Sequence, residues 1–155
     1  DIIKKIMKKK LFFIKIIVFY LFLNATVIAK ESNYFNEGMK YFKKKQFEKS
    51  KILFERDLVF NPKSENAYFY LAKIYGQNNN IEEEEFNLNN VLLLNQKNDE
   101  AIYILVLLKI KQSDYNQAKE LINTLDLVCK SFCSKKSELE EKLKNLTPEN
   151  AKNIN

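Results

Sequence analysis

Between Tyr34 and Pro62 the chain reads as helix, with large apolar residues at Tyr34, Tyr41, Phe47 and Phe54 and a glycine, Gly38, set among them. A glycine inside a helix costs roughly 1 kcal/mol against alanine, so its missing side chain predicts a second backbone crossing close by. The same pattern returns, without a gap, when the chain is shifted by 34 residues. Tyr34 then aligns with Tyr68 and Ile102, Gly38 with Ala72 and Val106, and Tyr41 with Tyr75 and Lys109. Phe47, Ile81 and Tyr115 align, as do Phe54, Leu88 and Ile122, and Asn61-Pro62 falls on Asn95-Gln96. Two patterns lie outside the repeat. Ser137 and Glu140 form a capping-box pair beside a stripe of Leu139, Leu143 and Leu146, which predicts a short terminal helix. Residues 11–23 are an apolar run broken only by Lys15.

Composition agrees with helices. Two glycines and two prolines in 155 residues are too few for the turns of a sandwich or barrel, so the class is all-α. The period, the residue types and the absence of gaps resemble the tetratricopeptide repeat (TPR) family, in which each repeat is a helix, a tight turn and an antiparallel helix. The first repeat carries the pattern as Tyr34, Gly38, Tyr41, Phe47, Ser50, Phe54 and Pro62; the second as Tyr68, Leu71-Ala72, Tyr75, Ile81 and Leu88. The third, with Ile102, Leu105-Val106, Tyr115, Ala118 and Ile122, matches least well in its first helix. The resemblance implies an α-solenoid of three repeats, over about 31–64, 65–98 and 99–128. A cysteine-containing junction and capping helix over 129–146 would seal its last apolar surface, and a disordered tail would run from 147.

Within that frame Gly38 is expected to face Ser50, both small, with the aromatic stripe serving as core. Two residues depart from the family pattern. Glu84 takes the small position of the second repeat's second helix, and Asp57 sits where the family prefers alanine. Each is expected either to be exposed by a roll of its helix or to meet a basic neighbour. Glu82, Glu83, Glu84 and Glu85 are read as a solvated first turn matched to the helix dipole.

Charge narrows the function. The net +6 is concentrated at the N-terminus, where residues 1–29 hold six lysines and one aspartate; residues 30–155 hold 20 basic and 19 acidic groups. A nearly neutral folded part argues against nucleic acid and for a protein partner or self-association. From Met7, three lysines, the apolar run and the small residues Val27 and Ala29 have the layout of a secretory signal peptide, with the mature chain starting at Lys30. A retained anchor over residues 11–29 is the alternative, and would be the protein's contact with a membrane. Both would place the remainder outside the cytoplasm. The low-Gly, Lys/Ile/Asn-rich usage resembles that of bacteria with AT-rich genomes, so the periplasm or cell envelope is the expected site.

Cys129 and Cys133 are the only cysteines. In an exported chain an even count reads as a disulfide that staples the last repeat to the capping helix; two buried thiols or a redox pair are the competing readings. A bridge between cysteines four apart requires an irregular turn between them. With no histidine the chain lacks the commonest general base and metal ligand, and two isolated glycines exclude phosphate-binding loops. No enzyme, metal site or cofactor is expected.

The resemblance also implies a binding face, the concave surface lined by the first helix of each repeat. Mapped onto this chain it comprises Phe35, Met39, Phe42 and Lys43, then Asn66, Phe69, Lys73 and Gln77, then Tyr103, Leu107, Ile110 and Lys111. The family's chaperone-binding members clamp a C-terminal carboxylate with Lys, Asn and Arg; the equivalent places here hold Phe35, Met39, Tyr70, Glu100 and Ile104. An apolar groove for a protein or peptide, helical in preference, is the resulting expectation for an envelope adaptor. A structural subunit of an oligomeric envelope assembly is the alternative.

Overall fold

The structure, a computed structural model, describes Lys15 and residues 33–146. The expected leader and the start at Lys30 lie outside the described residues, as does the tail from 147. The helices described below all belong to one compact unit, Ser32–Asn155.

Three helix pairs succeed one another: α1 (Tyr34–Lys43) with α2 (Phe47–Phe60), α3 (Glu65–Gln77) with α4 (Ile81–Leu94), and α5 (Asp99–Lys111) with α6 (Tyr115–Val128). A 3-10 turn, Cys133–Lys135, leads into α7 (Lys136–Leu146). Among the described residues there is no strand. The array is an all-α solenoid.

The period of the sequence is visible in the backbone. Each turn within a repeat contains one residue in the left-handed region, Lys45, Asn79 and Ser113, with φ of 58°, 54° and 61°. The next residue in each case donates its N–H to a carbonyl five back: Gln46 to Tyr41, Asn80 to Tyr75 and Asp114 to Lys109. Asn80 and Asp114 also cap the helices they precede, accepting from the N–H groups of Glu83 and Gln117. Turns between repeats are equally regular. Asn61, Asn95 and Cys129 each end a second helix by donating to the carbonyl four residues back, that of Asp57, Val91 or Leu125.

Packing accounts for Gly38. Ser50 Oγ donates to the Gly38 carbonyl at 2.9 Å, and both residues are buried. A Cβ on Gly38 would lie 2.7 Å from the ring of Phe54, which is itself fully buried. The glycine therefore admits an aromatic ring into the helix crossing, and its burial outweighs the local cost. Later repeats use smaller apolar partners at the same registers, Ala72 with Leu88 in one cluster and Val106 with Ile122 in another.

Repeat two solves its crossing differently. Of the two expectations for Glu84, exposure by a roll is not seen, since the residue is half-buried. A basic neighbour is present: Lys111 acts on it through charge, without a close ion pair among the described residues. The Glu84 carboxylate occupies the space left by Gly76, where a Cβ would come within 2.5 Å of Oε1. Burial raises the Glu84 pKa, and the more distant Lys111 partly offsets this. Asp57, by contrast, is buried almost completely, at the register that Val91 and Leu125 fill with apolar side chains. Of the four glutamates, Glu82 and Glu83 are solvated as expected, whereas Glu84 and Glu85 turn toward neighbouring helices.

Candidate functional site

The first helices α1, α3 and α5 lie side by side, joined through the residues that the sequence marks as a binding face. From α1, Phe35 and Phe42 approach Tyr70 of α3 with ring centroids 6.0 and 4.9 Å apart, and Phe35 also lies 5.5 Å from Phe54. Met39 packs into the same cluster. These three are half-buried, so their side chains contribute both to the joint between repeats and to the surface. At the other end, Tyr103 of α5 lies against Phe132 at 5.2 Å, and Leu107 packs half-buried on the third cluster.

An ion pair separates the two apolar regions. Lys73 Nζ is 2.6 Å from Glu100 Oε1 and 4.5 Å from the ring centroid of Phe69. It thus bridges α3 to α5 while resting on an aromatic face. Four further residues of the expected face, Lys43, Asn66, Gln77 and Lys111, lie toward solvent, and Lys111 donates to Asn79 Oδ1. Phe69 and Ile110 are not available to a ligand: both are buried between helices and belong to the core. Equivalent places fall differently because each repeat packs its neighbour slightly differently. Phe69 is a buried member of the cluster between repeats two and three, whereas Phe35, at the same register, only borders the cluster between repeats one and two.

Two contributors to this face are not legible in the sequence. Glu100 reads there only as a lost clamp position, and its pairing with Lys73 depends on a distance between helices that no spacing reveals. Phe132 lies in the cysteine junction, and it reaches Tyr103 because the junction folds back. Cys129 and Cys133 form a disulfide, with Cα atoms 5.2 Å apart, across the irregular segment that such a bridge requires. Inside that loop the consecutive N–H groups of Lys130, Ser131 and Phe132 all donate to Asp99 Oδ2, at 2.7, 2.6 and 3.0 Å. Burial pushes the Asp99 pKa up, but these backbone donors outweigh it and hold the carboxylate below its ordinary range. Glu65, at the same register one repeat earlier, accepts from Asn95 and Asn98 at 3.0 and 2.7 Å. An acid at the start of each of these first helices thus ties down the turn that ends its own repeat.

A second inter-helix pair lies away from this face. Lys109, only 7% exposed, pairs with Glu85, which also accepts from Gln112 at 2.7 Å. Burial opposes the ionised form of Glu85, but these donors lower its pKa overall. Lys109 stands at the register of Tyr75, and Glu85 at that of Lys51, whose ammonium lies 5.8 Å from the Tyr75 ring. The same two positions thus join successive repeats, once by a cation on a ring and once by an ion pair.

No family model matches the sequence, and no curated protein matches it. Solved structures do match the fold. The first TPR of Spaghetti (RPAP3) bound to an HSP90 peptide is 16% identical, with a TM-score of 0.65 over 73% of this chain and 90% of that one. The TPR2B domain of yeast Sti1, in its complex with pHsp70, is 16% identical, with a TM-score of 0.66 over 75% of this chain and all of that one. The Sgt2 TPR domain from Aspergillus fumigatus is 18% identical, with a TM-score of 0.63 over 77% and 80% of the two chains. The described part of the chain is a helical repeat array with the TPR fold.

Proposed function

We propose that the protein is a non-catalytic adaptor that binds an amphipathic helical segment of another protein across α1, α3 and α5. The observation that carries this reading is the half-buried apolar surface of Phe35, Met39, Phe42, Tyr103 and Leu107, divided by the Lys73–Glu100 pair. Apolar anchors on either side of a charged pair suit a helix with one apolar stripe and a polar centre. Similar folds supply support of a coarser kind, since two of them are seen with HSP90 or Hsp70 partners. The peptide of the first ends in an acidic run and a carboxylate; here Phe35, Met39, Tyr70, Glu100 and Ile104 offer no cationic clamp, so the ligand class differs. The lysine-flanked apolar leader favours export to a periplasm or cell envelope, with an inner-membrane anchor as its variant.

Selection of displayed helical peptides on the full chain tests the site. Enriched peptides should carry apolar residues at spacings of three and four. Met39→Ser combined with Leu107→Ser should abolish their capture while far-UV circular dichroism shows the chain still folded. Because both side chains are half-buried against the clusters, some loss of melting temperature is expected as well. Undiminished capture by that variant would remove the face from consideration.

A further inference from the structure

The outer helices carry largely exposed apolar residues, and they recur at one register. Val59, Leu93 and Leu127, each 34 residues after the last, are 76%, 78% and 85% exposed. Phe60 and Leu94 adjoin the first two and are exposed as well. All lie in the last turn of α2, α4 or α6, along the edge of the array where one repeat passes to the next. Single exposed leucines are ordinary, but here one register is left apolar and exposed in three successive repeats.

Charge indicates the occupant. Lys63, Lys97 and Lys130 come within three or four residues after these tips and are exposed. None forms an ion pair among the described residues. Acids near the same edge are engaged internally: Glu65 and Asp99 hold the turns, Glu100 holds Lys73, and Asp126 holds Lys136 at 2.8 Å. The edge therefore presents apolar tips, each followed by an uncompensated cation. Two copies meeting edge to edge would set lysine against lysine. An anionic headgroup layer accepts both parts, with the tips entering the acyl boundary and the ammonium groups pairing with phosphate. The described chain also enters the array here, where Tyr34, the first residue of α1, stacks on Phe60 at 5.6 Å.

We propose that this edge is a membrane-docking surface that rests on anionic phospholipid. It adds a contact beyond any made by the leader, and it lies apart from the peptide face, so either can fail without the other. The chain has no tryptophan, which permits a local reading in the full-length protein. Leu93→Trp and Leu127→Trp should each show a blue-shifted emission on vesicles containing phosphatidylglycerol and none on phosphatidylcholine alone. Asn116→Trp, at the opposite end of α6, should not shift. Adding Lys63→Gln, Lys97→Gln and Lys130→Gln to Leu93→Trp should remove most of the shift. The proposal is overturned by unchanged emission on anionic vesicles, by equal shifts on both lipids, or by an equal shift at position 116. A shift without vesicles that grows with protein concentration would overturn it too, because a second copy would then cover the edge.

Discussion

Gly76 and Glu84 show how one residue's size sets another's identity. Across the repeats, the register of Gly76 holds Phe42 and Ile110, and that of Glu84 holds Ser50 and Ala118. These two registers thus hold one large and one small residue in every repeat, and repeat two reverses the roles. Gly76→Ile alone should drive the side chain into the Glu84 carboxylate and cost roughly 1–3 kcal/mol, as overpacking does. Glu84→Ala alone leaves a gap beside the glycine. Together they recreate the arrangement of repeat three, and the double variant should recover about 1 kcal/mol or more of the summed losses. Chemical denaturation of the four proteins measures this coupling; additive losses would mean that the two side chains do not share the space. Gly38 is legible in the sequence, because its partner Ser50 is small in the same repeat. Gly76 is not, because its register partners are large and nothing along the chain announces the carboxylate beside it. Phe69 and Ile110 mislead for a related reason. Their register marks a ligand face, yet local packing between repeats draws them into the core.

At the level of elements, the junction between α6 and α7 depends on a single carboxylate. Cys129 occupies the register of Asn61 and Asn95, so the disulfide loop replaces an ordinary inter-repeat turn. Asp99, at the N-terminus of α5, accepts three of that loop's N–H groups and also meets the positive end of the helix dipole. Both interactions require the ionised form. The folded pKa lies below the ordinary value of 3.8, so this stabilisation is complete above the unfolded pKa and fades as pH falls through the folded one. Asp99→Asn should cost about 1 kcal/mol near neutrality, the low end for charge-assisted bonds because water reaches the site. The gap between variant and wild type should close as pH falls below that ordinary value, which urea titrations across pH would show. A constant gap would mean that shape rather than charge holds the loop. Both cysteines and the need for an irregular turn are plain from the sequence. Asp99 is not, because its donors are backbone groups that no side-chain pattern encodes.

Seen whole, the array is held by three clusters in series, each shared between neighbours. Phe54, Leu71 and Ile74 join repeats one and two; Leu88, Val91 and Leu105 join two and three; Ile122, Leu125, Leu139 and Leu143 join repeat three to α7. A stack of this kind has stability that is nearly a sum of neighbour terms, and its ends open first. Leu139 and Leu143 are the two buried residues of α7, and Leu139, fully enclosed, is the deeper of the pair that seals the last repeat. Leu139→Ala should cost roughly 2–5 kcal/mol by the usual measure for a buried leucine. The loss should not be spread evenly. Hydrogen exchange should rise most in α5, α6 and α7, less in α3 and α4, and least in α1 and α2, whose crossing between Gly38 and Phe54 makes no use of the cap. The disulfide and Asp99 would still hold the loop to α5, so local opening should begin in α7 itself. Equal acceleration in all six repeat helices would instead mean that the three repeats unfold as one unit, and that the cap stabilises the molecule rather than its last repeat.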